Sequence, residues 1–370
     1  MLVQACASAN ASEGNEDEIF VLDSNPLCPA AQVGGIHVPG APASGDGYQA
    51  LAENTDIVTI DLENVSVDTL LELQQQGHAV IPDPSALYRL TDKLKQKQWL
   101  QELNIPTAAF VAHDGEEEIS EQPFGFPVVQ KSARGGYDGR GVAVLHSSAD
   151  NDSRLRTPGY LEQFIDRKME VSVMVAANRE GDVCAYQAVE MVFHEGGNVL
   201  DYLVAPARLS AELLASAQQL AVSTISAMNV SGIFGIEMFL TREDELLINE
   251  ISPRTHNSGH YTREACRTSQ FVQQLHILKS EPLGDPAQLT PAVMFNLLGA
   301  EGFEGDTVVE QDASLGDDDA IAIHFYGKQH CFPGRKMGHV TVTAETVEAA
   351  LHKMNSIRDL ILVRGANQVV

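Results

Sequence analysis

Two neighbouring apolar runs constrain this sequence most. Gly232 to Leu240 reads GIFGIEMFL and Glu245 to Glu250 reads ELLINE, with a turn at Arg242 to Asp244 between them. Apolar runs flanking a short polar turn predict a pair of antiparallel strands. Each run carries a carboxylate, Glu237 in the first and Glu250 at the end of the second. An unpaired acid in an apolar setting is costly, so two of them side by side point to a shared task. Adjacent antiparallel strands can put both on one face, and with Asn249 they make an oxygen set suited to Mg²⁺. For either acid alone, an exposed strand position explains as much. The second strand leads into LINEISPRTHNSGHY, Leu247 to Tyr261, where Arg254, His256, Asn257, Ser258 and His260 follow the carboxylate within a few residues. Loops built only for turning favour Gly, Asn, Asp and Ser. A carboxylate followed by a guanidinium, imidazoles and an amide reads instead as a site for a metal and anions.

The rest of the chain limits what that site can serve. The 370 residues are enough for two or three domains. With 51 acidic and 24 basic residues the net charge is -27, which argues against nucleic-acid binding and against attraction to acidic membranes. An anionic substrate would need local cationic clusters, for which Arg254, Arg335 and Lys336 are candidates. No apolar run is long enough to span a bilayer, and no signal peptide is evident at the start. The five cysteines, Cys6, Cys28, Cys184, Cys266 and Cys331, form no C-x-x-C pair, so a zinc site is not expected and a reducing cytoplasm is.

Strands are expected at Glu18 to Asp23, Asp56 to Asp61 and Ala79 to Ile81, with a Gly/Pro-rich loop from Gly34 to Gly47 and a helix from Val67 to Gln76. That alternation predicts a parallel α/β sheet with crossover helices, ending near Pro84. Met1 to Ala9 reads as a helix where an α/β unit usually opens with a strand. A helix from Leu87 to Leu103 carries Lys93, Lys95 and Lys97. Strands Pro127 to Lys131 and Gly141 to Leu145 enclose a Gly-rich hairpin tip. Further strands are expected at Tyr160 to Ile165, Met169 to Ala176 and Asp182 to Val189, followed by an amphipathic helix from Ala211 to Met228. A smaller unit after about Gly302 holds strands at Ile321 to Tyr326, Val340 to Thr343 and Ile361 to Val363, a basic loop PGRKMGH and a helix from Glu345 to Asn355.

Three further constellations carry chemistry. In Arg134-Gly135-Gly136-Tyr137-Asp138-Gly139-Arg140-Gly141 the glycines let backbone N–H groups turn towards an anion. Lys131 leads into the loop as a point charge for phosphate, and a merely flexible tip has no need of Tyr137, Asp138 and Arg140. YLEQFI offers backbone donors and acceptors beside an apolar side chain, which suits adenine, although its spacing alone reads only as a strand. Lys328, Arg335, Lys336 and His339 make a basic cluster in an acidic chain, an anion site or a solvated loop.

Taken together, SARGGYDGRG, EQFI, GIEMF, NEISPRTHNSGHYT and YGK…PGRKMGH, in this order and spacing, resemble the 5-(carboxyamino)imidazole ribonucleotide synthases, ATP-grasp enzymes of purine (IMP) synthesis. The resemblance runs from about Glu18 to near the C-terminus and is closest to the fungal type, in which a carboxylase (mutase) domain follows. It implies a preATP-grasp α/β domain (1–85), an α+β ATP-grasp domain (86–302) and a small β-rich domain (303–370). It also implies carboxylation of 5-aminoimidazole ribonucleotide by bicarbonate and ATP through carboxyphosphate, with Mg²⁺, in a cytoplasmic homodimer.

By the same resemblance, Lys93, Lys131, His194 and Asn249 meet the nucleotide, and the loop Gly135, Gly136, Tyr137, Asp138, Gly139, Arg140 and Gly141 covers its phosphates. Glu162, Gln163, Phe164 and Ile165 hold adenine, Glu170 the ribose, and Glu237 and Glu250 the metal. Asp138 takes a proton from the amine, and Arg254 and His256 stabilise carboxyphosphate. Tyr137, Arg140, Asn257, Ser258, His260, Lys328, Arg335 and Lys336 face the ribonucleotide. Enzymes of this kind open with a strand and a GGGQLG-type loop, and this chain starts just after that point. The expectation is an incomplete N-terminal domain. Two alternatives stay open: a formate-dependent glycinamide ribonucleotide formyltransferase, and a nucleotide-binding remnant without catalysis.

Overall fold

A computed structural model of the chain describes residues 1–14, 16–120, 123–136, 141–194 and 199–369. The N-terminal helix Leu2–Glu13 ends at Gly14, whose left-handed backbone (φ 74°) closes it. The expected parallel strands form as two short pairs, Phe20–Asp23 with Ile36–Pro39 and Ile57–Thr59 with Ala79–Ile81. The strand Ile36–Pro39 lies inside what reads as a Gly/Pro loop. It is four residues long and ends in a proline, too short to register as a strand pattern. Next to it Gly40 is obligatory, because a side chain there would sit 2.2 Å from the Asp46 carbonyl. Helix Val67–Gln75, capped by Ser66, closes a core of Val38, Tyr48, Leu51, Val58, Leu70, Leu73 and Leu87.

The single helix expected over Leu87 to Leu103 is two, Pro84–Leu90 and Lys93–Glu102. Asp92 breaks it: its backbone turns extended so that its carboxylate accepts the Lys95 N–H at 3.1 Å. A side chain that satisfies an otherwise orphaned helix donor competes well with helix continuation. The break places Lys93 at the first position of the second helix.

A four-stranded sheet follows, in the order Phe110–His113, Gly159–Gln163, Val128–Ser132, Val142–Leu145. The last two are the expected hairpin. The strand read as Tyr160 to Ile165 stops at Gln163, leaving Phe164 and Ile165 beyond it. Phe110–His113 is too short to be read from sequence.

The largest sheet is antiparallel. From one edge it runs Leu246–Ser252, Gly232–Thr241, Arg167–Ala177, Val189–Phe193, Leu200–Ala205, Ala292–Leu298, Lys336–Thr343, Ile321–Phe325. The strand expected over Asp182 to Val189 is divided into Val183–Ala185 and Val189–Phe193. Ala185 faces Val175 but Val189 faces Ser172, so the chain gains a residue over its partner and bulges. Gln218 from the long helix donates to the Tyr186 carbonyl at this bulge.

Helix Ala211–Met228 forms as expected and buries Ala217, Ala221, Ile225 and Met228 against Val171, Val173, Val175, Phe234 and Ile236. In the C-terminal part, Lys336 to His339, read as a loop, begins the strand Lys336–Thr343. That strand pairs with Ala292–Leu298, so the sheet runs on across residues 302 and 303. A separate ribbon pairs Phe303–Gln311 with Ile361–Gln368. Helix Val347–Ile357 starts two residues later than expected, where Thr346 caps the Ala349 N–H. All five cysteines are free. Among the described residues no helix is long and apolar enough to cross a membrane.

Ile248 is fully buried in the core that carries both acidic strands. Truncating it with Ile248→Ala is expected to cost about 2–5 kcal/mol, read as a lower urea midpoint with an unchanged slope.

Candidate active site

Glu237 and Glu250 are direct cross-strand partners. The next pair is Met238 with Ile248, so Asn249 is an extra, unpaired residue: a β-bulge. In a regular strand successive side chains point to opposite faces, and Asn249 would turn away from Glu250. The bulge brings both to one side. Asn249 Oδ1 accepts from Lys131 Nζ at 2.8 Å, and its Nδ2 lies 3.5 Å from Glu237 Oε2. Opposite Glu237 on its other flank is Ser172, and one step further Glu170 faces Phe239. Glu170, Ser172 and Glu237 therefore share a face.

Two carboxylates this close cannot both ionise freely. Burial, then the charge of Glu250 and that of Glu170, push Glu237 up to about 8. Glu250 goes the other way. Burial raises it, but the Lys93 ammonium at 2.6 Å, with Lys131 and Arg254 beyond, holds it below the ordinary range. Behind this pair lies a second ionic layer. Glu162, almost wholly buried, is clamped by Lys97 at 2.6 Å and Lys131 at 2.7 Å, and these cations outweigh burial to keep it ionised. Lys97 is 1% exposed and also reaches Thr107. Burial lowers the Lys97 ammonium and raises the Glu170 carboxyl, although Glu170 is paired with Arg167.

The Gly-rich tip rises beside this layer. Tyr137, Asp138, Gly139 and Arg140 lie outside the described residues. Gly135 and Gly141 bracket them with left-handed backbones, φ 77° and 81°. Arg134 donates to Asp92 at 3.1 Å, and the Lys93 N–H donates to the Ala133 carbonyl, so the loop base is tied to the helix that carries Lys93. Gln163 and Phe164 are exposed next to Glu162.

On the far side of the carboxylates, Arg254 pairs with Glu63 at 2.9 Å, and Thr255 donates to Asp61. His256 Nε2 stands 3.6 Å from Glu237 Oε1. Burial, then the charges of Arg254 and Lys336, bring His256 down to about 3, so it is neutral. Asn257 keeps both amide atoms buried without a partner, which a polar ligand would satisfy. Ser258, expected to face substrate, does not. It is 1% exposed, and its hydroxyl is taken by His256 and Ser172. His260 bonds Gln270 and stacks on His339 at 4.8 Å, and burial drives it well below its usual range. Lys336 acts on both His256 and His260, and Lys328 donates to the Lys336 carbonyl. Arg335, its neighbour, turns to the His330 carbonyl and stacks on Phe332. His194 follows the strand Val189–Phe193, its Nε2 3.6 Å from Asp201 on the adjacent strand.

Several working residues escape the sequence reading. Lys97 had a usable signal, since it is four residues after Lys93 and shares its helix face. Asp61 and Glu63 follow the strand Ile57–Thr59, at the carboxyl end where parallel sheets gather ligands. Ser172, inside an apolar strand, gave none.

The chain matches three family descriptions in order: a ribonucleotide synthetase preATP-grasp domain (residues 1–90), an ATP-grasp domain (98–271) and a phosphoribosylaminoimidazole carboxylase C-terminal domain (292–353). The N5-carboxyaminoimidazole ribonucleotide synthase of Synechococcus elongatus is 38% identical over 333 residues, 88% of this chain and 83% of that protein. This chain belongs to the N5-carboxyaminoimidazole ribonucleotide synthase family. Another relative, the phosphoribosylaminoimidazole carboxylase of Schizosaccharomyces pombe, is 33% identical over 90% of this chain, which spans 62% of that longer protein. The synthetase structure from Thermotoga maritima superposes with a TM-score of 0.86 at 36% identity, covering 99% of this chain and 97% of that one. The Aspergillus clavatus synthase complexed with ATP gives 0.84 at 30% identity, covering 97% and 95%. In this ATP-grasp ligase the strand pair Gly232–Thr241 and Leu246–Ser252 carries both carboxylates.

Two outcomes follow from the electrostatics. Because Glu237 is held protonated well above the ordinary 4.5, its contribution to stability is full at low pH and is lost as pH rises through about 8. Metal-free Glu237→Gln should therefore melt at progressively higher temperature than wild type as pH rises from 5 towards 8, and a constant difference would contradict the assignment. Lys97→Met removes a partner from a buried ion pair and is expected to cost about 3–5 kcal/mol, measured by denaturant unfolding.

Proposed function

We propose that the chain uses ATP to carboxylate 5-aminoimidazole ribonucleotide with bicarbonate, and that the Glu237–Glu250 pair organises the reaction. The supporting observation is adjacency: a carboxylate pair that repels itself on one side, and a guanidinium with a neutral imidazole immediately beyond it. The first is a cation site. Its two acids, one held protonated by burial and by the charge of the other, and the Asn249 amide oxygen form the hard oxygen set that Mg²⁺ prefers. Glu237 and Glu250 would hold the ion, and Lys93, now neutralising Glu250, would be freed for the phosphates. Bound there, the cation would supply positive charge to offset the charge that develops as the phosphoryl group leaves.

Lys131, steered by Glu162 and Lys97, reaches the same phosphates, and the loop from Gly135 to Gly141 covers them. Adenine would lie against the strand end at Glu162 to Ile165, with Glu170 towards the ribose and His194 at the rim. Arg254 and His256 hold bicarbonate so that its oxygen faces the terminal phosphorus. A bicarbonate oxygen attacks, ADP leaves, and carboxyphosphate forms between the guanidinium and the imidazole. Closing the glycine loop keeps water out. The aminoimidazole then takes up the carboxyl group, with Asp138 receiving the amine proton, while phosphate departs. Asn257, with its unpartnered amide, and Lys336 beside the histidines would hold the ribonucleotide, together with Lys328, which donates to the Lys336 carbonyl, and Arg335, the residue before that strand begins.

The test is ADP release with aminoimidazole ribonucleotide and bicarbonate together, then with each omitted. Release should require bicarbonate and rise with the ribonucleotide. Release supported by formate in place of bicarbonate would overturn the reading. In isothermal titration, Glu250→Gln should abolish the Mg²⁺ dependence of ATP binding, and tight metal-independent binding in the wild type would contradict the assigned ligands.

A further inference from the structure

His256 closes the short turn Asn257–Gly259 by accepting the Ser258 backbone N–H on its ring nitrogen Nδ1, at 3.3 Å. A backbone N–H can only donate. Nδ1 must therefore present a lone pair, and the ring's proton sits on Nε2. The same nitrogen is 2.8 Å from Ser258 Oγ. Since Nδ1 is already an acceptor, the Ser258 hydroxyl donates to it. That commits the Ser258 proton and leaves its oxygen as an acceptor, and 2.7 Å away stands Ser172 Oγ. The donors thus run in one direction, from Ser172 to Ser258 to His256. Both serines are 1% exposed, so no solvent competes. The alternative acceptor for Ser258 is Met174 Sδ at 3.8 Å, a longer contact to a weaker acceptor than the imidazole nitrogen at 2.8 Å.

The ring's seat is built as well. A side chain at Gly235 would come within 2.7 Å of His256 Cβ and Cγ, so the bare backbone of the strand Gly232–Thr241 lets the imidazole lie flat against it. Ser172 is the residue facing Glu237 across the neighbouring strand pair. One strand therefore sets the orienting hydroxyl beside the carboxylate that His256 faces. The Nε2 to Glu237 distance of 3.6 Å is longer than a hydrogen bond. The Nε2–H is thus not committed to a hydrogen bond with the carboxylate and stays available to a ligand.

We propose that Ser172 is a positioning residue for phosphoryl transfer: through Ser258 it fixes the tautomer and rotation of His256, so that Nε2–H donates to the acceptor oxygen group. This rests on the reading that His256 holds the bicarbonate-derived group. The role matches that of outer partners which fix the ring nitrogen used by a working histidine. No proton is transferred along the chain. The serines set which nitrogen donates and where it points.

The experiment uses the full chain with nitrogen-labelled histidine, the His256 signals being assigned by loss in His256→Gln. Wild type should show a protonated Nε2 and an unprotonated Nδ1. Ser172→Ala releases the Ser258 hydroxyl and leaves Nδ1 with only the longer Ser258 N–H contact at 3.3 Å, so it should mix the two tautomers, lower kcat by about ten- to a hundredfold and leave KM for ATP within about twofold of wild type, with Ser172→Thr, which keeps the hydroxyl, restoring both the spectrum and kcat. A wild-type ring protonated on Nδ1 would overturn the proposal. So would an unchanged His256 spectrum in Ser172→Ala, whatever its activity, or a lower kcat matched by an equal rise in KM for ATP. If the wild type carried out no bicarbonate-dependent reaction at all, the proposed function would fall while the tautomer spectrum still decided the geometry.

Discussion

The repulsion between Glu237 and Glu250 is the force around which this structure is arranged. The two acids are placed opposite each other by strand register, on strands whose other face packs into the apolar core. Such a pair is unstable unless one member is neutral or cations are close. The protein uses both devices. It protonates Glu237, and it pays for an ionised Glu250 by bringing Lys93 to 2.6 Å. Lys93 can reach only because Asp92 breaks the preceding helix and restarts it there. Lys131 can assist only because Glu162, held also by Lys97, fixes it from behind. A cation and a nucleotide entering the site would replace these makeshift contacts with stronger ones, so part of the binding energy is stored as an electrostatic arrangement that favours occupancy.

The acceptor side obeys a different rule. In a chain of net charge -27 an anion needs a local positive field. Here that field is assembled from distant segments. Arg254 comes from the turn after the acidic strand, Lys336 from the start of a strand near the C-terminus, and both act on a buried His256. Because burial, aided by those charges, keeps the imidazole neutral, the proposed role of His256 is that of a directed hydrogen-bond donor rather than a cation. Asp61 and Glu63, from the first unit, orient Thr255 and Arg254. The site thus draws on N-terminal, central and C-terminal segments, the last two joined by one continuous sheet.

The strand pair, the Gly-rich hairpin and the long helix were legible because each imposes a period or a turn that residues must obey locally. Glu237 and Glu250 stood out because charge in an apolar run has no local excuse. What stayed hidden depends on partners far away in sequence. The bulge at Asn249 reflects pairing register, which no residue in LINE announces. The helix break at Asp92 is a contest between capping and continuation that the lysine-rich pattern around it obscures. The placing of Lys336 to His339 in a strand is decided by Ala292–Leu298, which they pair with. Ser258 reads as a ligand contact because its polarity is visible in sequence, while its burial against Ser172 is not.

The central claim is that the carboxylate pair and the Arg254–His256 turn set the terminal phosphate of ATP against bicarbonate. The most direct measurement follows a heavy oxygen isotope from labelled bicarbonate into inorganic phosphate during turnover, by the isotope shift in phosphorus NMR. Transfer through carboxyphosphate carries a single labelled oxygen into each phosphate released. Phosphate free of that label, its new oxygen supplied instead by water, would contradict the account.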